Sequence, residues 1–508
     1  MLAKTESVAL VGTEARLVEV EVDVAGVGIP AFRMVGLPAK SVTEAEQRVR
    51  SGLESSSERW PPTRITANLA PGALRKEGAH FDLAIAVGTV AADDRLPGES
   101  LEGWLFIGEI ALDGSIRSVR GVLAAALACR RLGRRGLLCP AANASEAAIV
   151  DGIEVIPVST LREAFGFLRR TWSPPEVRSE EGLVRSDWED LSEVKGQAEA
   201  KKALEVAAAG GHNLLLIGPP GTGKTMLARR LPSILPEMSP EEAIEVTSIY
   251  SVAGMLPEPA SLMRTRPLRA PHHHVSMAGL IGGGSGLAHP GEVSLANRGV
   301  LFLDEIPLFR NDVLESLRAP LEDGSVRIAR SAGVVSYPAR FSLIASMNPC
   351  PCGFAEDPTR RCKCTGLQLH HYRTKLSGPL LDRFDIQTRM PRPSRKDLMG
   401  APTGESSAVV RARVERARNL QSERYGGAIT NASCSHRSLL QSLQMTSDAK
   451  ALLNEAVDGQ SLSGRGVVRV MRLARTLADL RSHEPVVDED LADALTFRFS
   501  GSREGRAA

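Results

Sequence analysis

Eight residues, Gly218, Pro219, Pro220, Gly221, Thr222, Gly223, Lys224 and Thr225, stand between an apolar run, LLLI, and a helical stretch, MLARRLPSIL. That order restricts the possible folds more than any other feature of the chain. A G-x-x-x-x-G-K-[ST] loop works where a buried strand delivers the backbone to a helix N-terminus, because main-chain N–H groups and the helix dipole then converge on phosphate. It calls for an α/β domain built on a parallel sheet. Lys224 is placed to reach the β- and γ-phosphates and the Thr225 hydroxyl to bind Mg²⁺, with Met226 closing the nucleotide-contacting run. A chance glycine-rich turn is the alternative, and it leaves the flanking strand and helix unexplained.

A phosphate loop alone binds nucleotide; hydrolysis also needs a metal carboxylate and a group that orients water. The segment GVLFLDE offers both, with Asp304 at the end of an apolar strand for Mg²⁺ and Glu305 to polarise the attacking water. A third apolar strand, ARFSLIASMNP, ends in Asn348, placed to touch the γ-phosphate or the water. Taken singly, Asp-Glu after a strand and Asn before Pro349 are ordinary surface features. Behind a phosphate loop they make a nucleotide hydrolase.

The chain of 508 residues exceeds one compact core, and its length suggests about three domains. Residues 1–172 mix short apolar strands (VEVEVDVAG, RITANLA, WLFIGEIAL, GLLCP, IEVIPV) with Ala-rich helical stretches such as GVLAAALACRRLG. A polar linker over 173–187 leads to a block, 188–395, that alternates helix and strand. A second linker, 396–408, precedes a helix-rich block over 409–500, and 501–508 reads as a disordered tail. With 62 basic and 60 acidic residues, the total charge neither demands nor excludes a nucleic-acid partner. No apolar run approaches the roughly 18 residues of a membrane span. The opening MLAKTESVALVG lacks a secretory pattern, so a cytoplasmic protein is expected.

Four of the seven cysteines, Cys350, Cys352, Cys362 and Cys364, form C-x-C-x9-C-x-C. Four thiolates can close a tetrahedral Zn²⁺ site, although each pair is tighter than the usual two-to-four-residue gap. Four unpaired thiols are the alternative reading.

The strings GHNLLLIGPPGTGKTMLARRLPSILP, APHHHVSMAGLIGGG, PGEVSLANRGVLFLDEIPLF and MNPCPCG to SGPLLDRFDI resemble the magnesium-chelatase-like AAA+ family, and more narrowly its ComM/YifB-type competence ATPases. The likeness extends over nearly the whole chain. It implies ATP and Mg²⁺ as cofactors and a homo-oligomeric ring, expected to be hexameric, with ATP at subunit interfaces. Arg383 then resembles an arginine finger acting on a neighbour's nucleotide. Arg465 resembles a second sensor reaching the nucleotide from its own helical lid, with Arg469 as the fallback. Gln197 lies where relatives line the adenine pocket. In LEDGSVRIARSAGVVSYPARF the resemblance implies a pore hairpin whose Arg327 and Arg330 offer charge to DNA, a solvated hairpin being the alternative. APHHHVSMAGLIGGGSG resembles a second loop insertion. Its three histidines are read as a mobile loop, because sequence neighbours rarely point at one metal centre.

The first block resembles the proteolytic domain of Lon-type proteases, with His80 at the serine position, a position near Leu123 for the lysine, and Lys76 on the wrong side of the loop. A protease-like α+β fold without protease chemistry is implied. The expected architecture is this domain, a central AAA+ parallel-sheet domain and a C-terminal helical lid. The expected activity is an ATP-driven DNA motor, a helicase or branch-migration enzyme serving recombination or natural transformation. A metal-loading remodelling motor is the alternative, and an ATP-dependent protease a weaker one.

Overall fold

In the computed structural model the apolar runs form two separate sheets. The structure describes residues 1–177, 188–257, 260–284, 288–330, 333–355, 357, 360–399, 404–459 and 462–499. Most of the first expected linker, part of the second and all of the 501–508 tail fall outside the described residues.

The first sheet has seven strands in the order Ala31–Val35, Arg64–Ala70, Glu14–Val24, Leu2–Val11, Trp104–Phe106, Gly136–Pro140, Glu154–Val158. Alternation along Glu14–Val24 sends Val18, Val20, Val22 and Val24 into one core with helix Asp82–Ala92. On the opposite face helix Val122–Arg131 covers Leu105, Leu137 and Cys139. Lys76 is buried and its ammonium donates to the Gly36 and Pro71 carbonyls. His80 is also buried, bonded at Nε2 to the Val8 carbonyl 2.8 Å away, and burial pushes its pKa down to about 4. Leu123 is fully buried. All three positions are held as structural groups.

The second sheet is parallel throughout, in the order Leu268–Arg269, Val300–Leu303, Ser342–Met347, Leu214–Ile217, Ile386–Arg389. Its strands are apolar on both faces, as expected of a sheet covered on both sides. Leu214, Leu216, Phe302, Ile344 and Ile386 face one core, and Leu215, Leu301, Leu303, Leu343 and Ala345 face the other. The C-terminal ends of three central strands therefore open together, delivering the phosphate loop, Asp304 and Asn348 to one edge.

The helix expected to run on from the phosphate loop is broken into Lys224–Ala228 and Leu231–Ile234. Pro232 has no N–H to offer the Ala228 carbonyl. At the break the buried Arg230 guanidinium donates to the Met226 and Asp190 carbonyls, 2.8 Å each, and pairs with Glu193 and Glu189.

The C-terminal block, read from the sequence as a helical lid, is helical among its described residues. Its helices Ser407–Tyr425 and Gly464–Leu480 share a core with the sheet and with helix Ala198–Gly210. The reason lies in the stripe Val470, Leu473, Ala474, Leu477, Ala478, spaced for one helix face. Each buried leucine there contributes about 2 kcal/mol. Ser463 caps this helix by accepting the Gly466 N–H at 3.2 Å. A short helix, Arg395–Met399, occupies the start of the expected second linker.

The two sheets' domains touch through helix Pro240–Ala253, which begins with a Ser239–Glu242 capping box. Glu146 of the first domain is buried and accepts the Leu123 N–H at 2.8 Å, the Asn143 amide at 3.1 Å and the Ser251 hydroxyl of that helix. Burial raises the Glu146 pKa. Strands Ser325–Arg330 and Gly333–Pro338 form the expected antiparallel hairpin, with Arg327 opposite Ser336. Val326 and Ile328 point inward and Arg327 is exposed. The hairpin tip at 331–332 and the Arg330 side chain lie outside the described residues.

Candidate nucleotide site

The phosphate loop leaves strand Leu214–Ile217 and turns into helix Lys224–Ala228 at Gly223, whose φ of +89° suits glycine. Lys224 is largely buried. Its ammonium donates to the Gly218 and Pro219 carbonyls at 2.7 and 3.0 Å and to Asn348 Oδ1 at 3.1 Å. Burial lowers its pKa, while Asp304 and Glu305 act in the opposite direction. The Thr225 hydroxyl donates to Asp304 Oδ2 at 2.8 Å, so a hydroxyl and a carboxylate from separate elements sit within reach of one cation. Thr222 Oγ1 donates to the Pro219 carbonyl at 3.1 Å, closing the loop on itself. Pro220, Gly221 and Met226 are exposed beside it.

Glu305 projects from a residue in the left-handed region, φ +51°, at the end of strand Val300–Leu303. A non-glycine residue there costs about 1 kcal/mol or more, and such strain gathers at functional positions. Its N–H donates to Ser346 Oγ at 3.1 Å, and the Ser346 hydroxyl in turn donates to Asp304 Oδ1. Ser346 was not singled out in the sequence. Its signal was a hydroxyl inside the apolar strand SLIASM, beside the Asp304 strand in the parallel register.

Tyr372, also unanticipated, lies on helix Gly366–Thr374 and is hydrogen-bonded by the Asn348 main chain. Burial, opposed by that bond and reinforced by Glu305 and Cys350 nearby, pushes its pKa up to about 12. Gln197 donates from Nε2 to the Thr222 and Pro391 carbonyls at 3.2 and 2.7 Å, tying the phosphate loop to the strand next to it. Its buried Oε1 has no hydrogen-bond partner among the described residues.

The four cysteines converge. Sγ–Sγ separations are 3.4 Å for Cys350–Cys352, 3.7 Å for Cys350–Cys362 and 3.6 Å for Cys352–Cys362, and Cys364 lies within 4.8 Å of the others. Tetrahedral metal–sulfur bonds of about 2.3 Å require sulfurs about 3.8 Å apart, so the donor set fits a four-coordinate ion. Main-chain N–H groups of Lys363 and Phe354 point at Cys352 and bring its pKa down to about 6. The cluster also abuts the nucleotide loop. A Cβ on Gly353 would lie 2.6 Å from Pro220 Cδ, and φ there is +82°.

Arg383 is buried against Glu322, an ion pair different from the Asp382 or Asp385 pairing that its neighbours suggest. Asp382 pairs with Arg498 at 3.0 Å, and Asp385 with His212 at 3.3 Å and Arg469 at 3.6 Å. Arg469 is thereby fixed at the foot of strand Ile386–Arg389. Burial lowers the Arg383 pKa, and the positive charges of Arg465 and Arg318 push the same way; Arg465 is exposed.

Sheet order, phosphate loop and paired carboxylates define the class, an AAA+-type P-loop ATPase domain. Family models agree. "Magnesium chelatase, subunit ChlI" matches residues 190–398, "Subunit ChlI of Mg-chelatase" 20–143, and "Magnesium chelatase, subunit ChlI C-terminal" 404–498. The chain is 41% identical to the competence protein ComM of Haemophilus influenzae, covering 98% of this chain and 97% of that one. It is 38% identical to the YifB protein of Escherichia coli, covering 96% of each. With the magnesium-chelatase 38 kDa subunit of Rhodobacter capsulatus it shares 28% identity over 42% of this chain and 61% of that one. The chain belongs to the ComM/YifB type of magnesium-chelatase-like proteins, a family that implies ATP and Mg²⁺. Among the described residues no helix is long and apolar enough to cross a membrane.

Proposed function

We propose that this protein is an ATP-hydrolysing ring motor that acts on DNA as a helicase or branch-migration factor. The observation that carries the reading is the 2.8 Å contact between Thr225 and Asp304, with Lys224, Glu305, Ser346 and Asn348 around it. Main-chain amides of the 218–225 loop and Lys224 bind the triphosphate. Thr225 and Asp304 would hold Mg²⁺, which when bound would supply positive charge against the phosphates. Glu305 accepts the proton of the attacking water, Asn348 orients that water or the γ-phosphate, and Gln197 Oε1 is free to accept an adenine amino group.

In a ring, taken to be a hexamer, Arg383 serves the neighbouring subunit's nucleotide as an arginine finger, and exposed Arg465 reaches the nucleotide of its own subunit from the helical block. The DNA part is supported by the competence name of a full-length relative and by Arg327 exposed on the hairpin. Hydrolysis measured with branched, single-stranded and double-stranded DNA is expected to rise with at least one of them and to lose that rise with added salt. A rate indifferent to every DNA would leave the second reading, a remodelling motor working on a protein partner, which the three chelatase matches favour. The first domain is read as Lon-like in fold and without protease chemistry, given His80 and Leu123 at the two positions.

The four cysteines hold a structural Zn²⁺, with no coordination position open for chemistry. Freshly purified, unchelated protein should contain about one zinc per chain, and Cys362→Ser about none. Zinc-free wild-type protein would remove this assignment.

A further inference from the structure

Three consecutive histidines, His272, His273 and His274, follow strand Leu268–Arg269. In a strand successive side chains alternate, which is why such a run is read as a poor chelator. Here the Val275 N–H donates to the His272 carbonyl at 2.9 Å, closing a turn that brings all three rings to one side. Ring centroids are 4.0 Å apart for His272 and His273, 4.3 Å for His273 and His274, and 5.1 Å for the outer pair. One nitrogen from each imidazole lies within 4.8 Å of the other two. Among the described residues none of the three forms an ion pair with a carboxylate.

The place matters as much as the convergence. His273 packs edge-on against Phe309, 6.4 Å between centroids, and feels the charge of Glu305. The rings therefore lie against the end of the turn Ile306–Leu308, which starts from the residue assigned above to water activation.

We propose that His272, His273 and His274 form a second metal site, separate from the cysteines. It takes a first-row transition-metal dication on a three-imidazole facet and slows hydrolysis when filled. Imidazole donors favour Zn²⁺, Ni²⁺, Cu²⁺ or Co²⁺ over Mg²⁺, so the nucleotide's own cation does not compete. Metal–nitrogen bonds of about 2.0–2.1 Å need nitrogens roughly 3.3 Å apart. Rotation of exposed His272 and His274 supplies the remaining closure. A dication there attracts the Glu305 carboxylate and weakens it as a base.

The binding claim stands by itself, whereas the slowing rests on the ATPase reading. Untagged full-length protein, as purified, is titrated with Ni²⁺ by calorimetry without nucleotide. One saturable equivalent is expected, weakened about tenfold or more in His272→Ala/His274→Ala, whose two exposed side chains leave the core intact, and unchanged in Cys362→Ser. Equal binding by wild type and the double-histidine variant, or no saturable binding, overturns the site. With Mg²⁺–ATP in excess, one equivalent of Ni²⁺ should slow wild-type hydrolysis about threefold or more and leave the double variant's own rate unslowed. Binding without slowing overturns the regulatory half. An inactive wild-type protein defeats the ATPase reading instead, and the titration still decides the site.

Discussion

Lys224→Ala abolishes tight ATP binding and lowers kcat/KM by about a thousandfold, the scale expected when a preorganised cation facing phosphoryl charge is removed. The ammonium has two duties here. It holds the Gly218 and Pro219 carbonyls and Asn348, and it supplies the positive charge nearest the triphosphate position. Alanine loses both. Lys224→Met keeps the aliphatic stem and separates charge from packing, because a folding defect would then show as a lower Tm for alanine alone. Binding of a fluorescent ATP analogue and steady-state hydrolysis are the readouts. Normal turnover by either variant would unseat the nucleotide assignment.

Glu305→Gln should behave in the opposite way on binding. The amide preserves size and the backbone position, so ATP is still held, while hydrolysis drops about 10² to 10⁴-fold with the loss of a positioned base. ATP then stays bound and unhydrolysed, which size-exclusion of protein incubated with labelled ATP detects. The backbone gives this variant its clarity. The Glu305 N–H bond to Ser346 depends on the main chain and survives the substitution. A variant that turns over at the wild-type rate would move the base to another residue.

The strands around this site were legible because they are short, apolar and punctuated by glycine, proline or a charged pair. Leu214–Ile217, Val300–Leu303 and Ser342–Met347 all fall inside the segments singled out in the sequence. The residues that buttress the site were harder to see. Ser346 matters through a neighbouring strand, and Tyr372 reaches Asn348 only after the chain has doubled back past the cysteines. Neither relation has a fixed spacing. The helix-rich character of residues 409–500 was legible, but not which core helix Gly464–Leu480 joins, since an apolar stripe states that a face is buried without stating against what. The histidine run was opaque for a different reason. Its convergence depends on one turn hydrogen bond, and residue type alone does not announce that bond. Proline at 232, by contrast, was a visible break that the longer helical pattern concealed.

The buried Glu146 bears on how the two halves can be handled. Its carboxyl takes two hydrogen bonds from its own half, at Leu123 and Asn143, and a third from Ser251 of the other. Producing the halves as separate polypeptides would remove the Ser251 hydroxyl from a buried acidic group and leave that group exposed instead. The two halves thus share one buried acid, and full hydrogen bonding of that acid requires both of them.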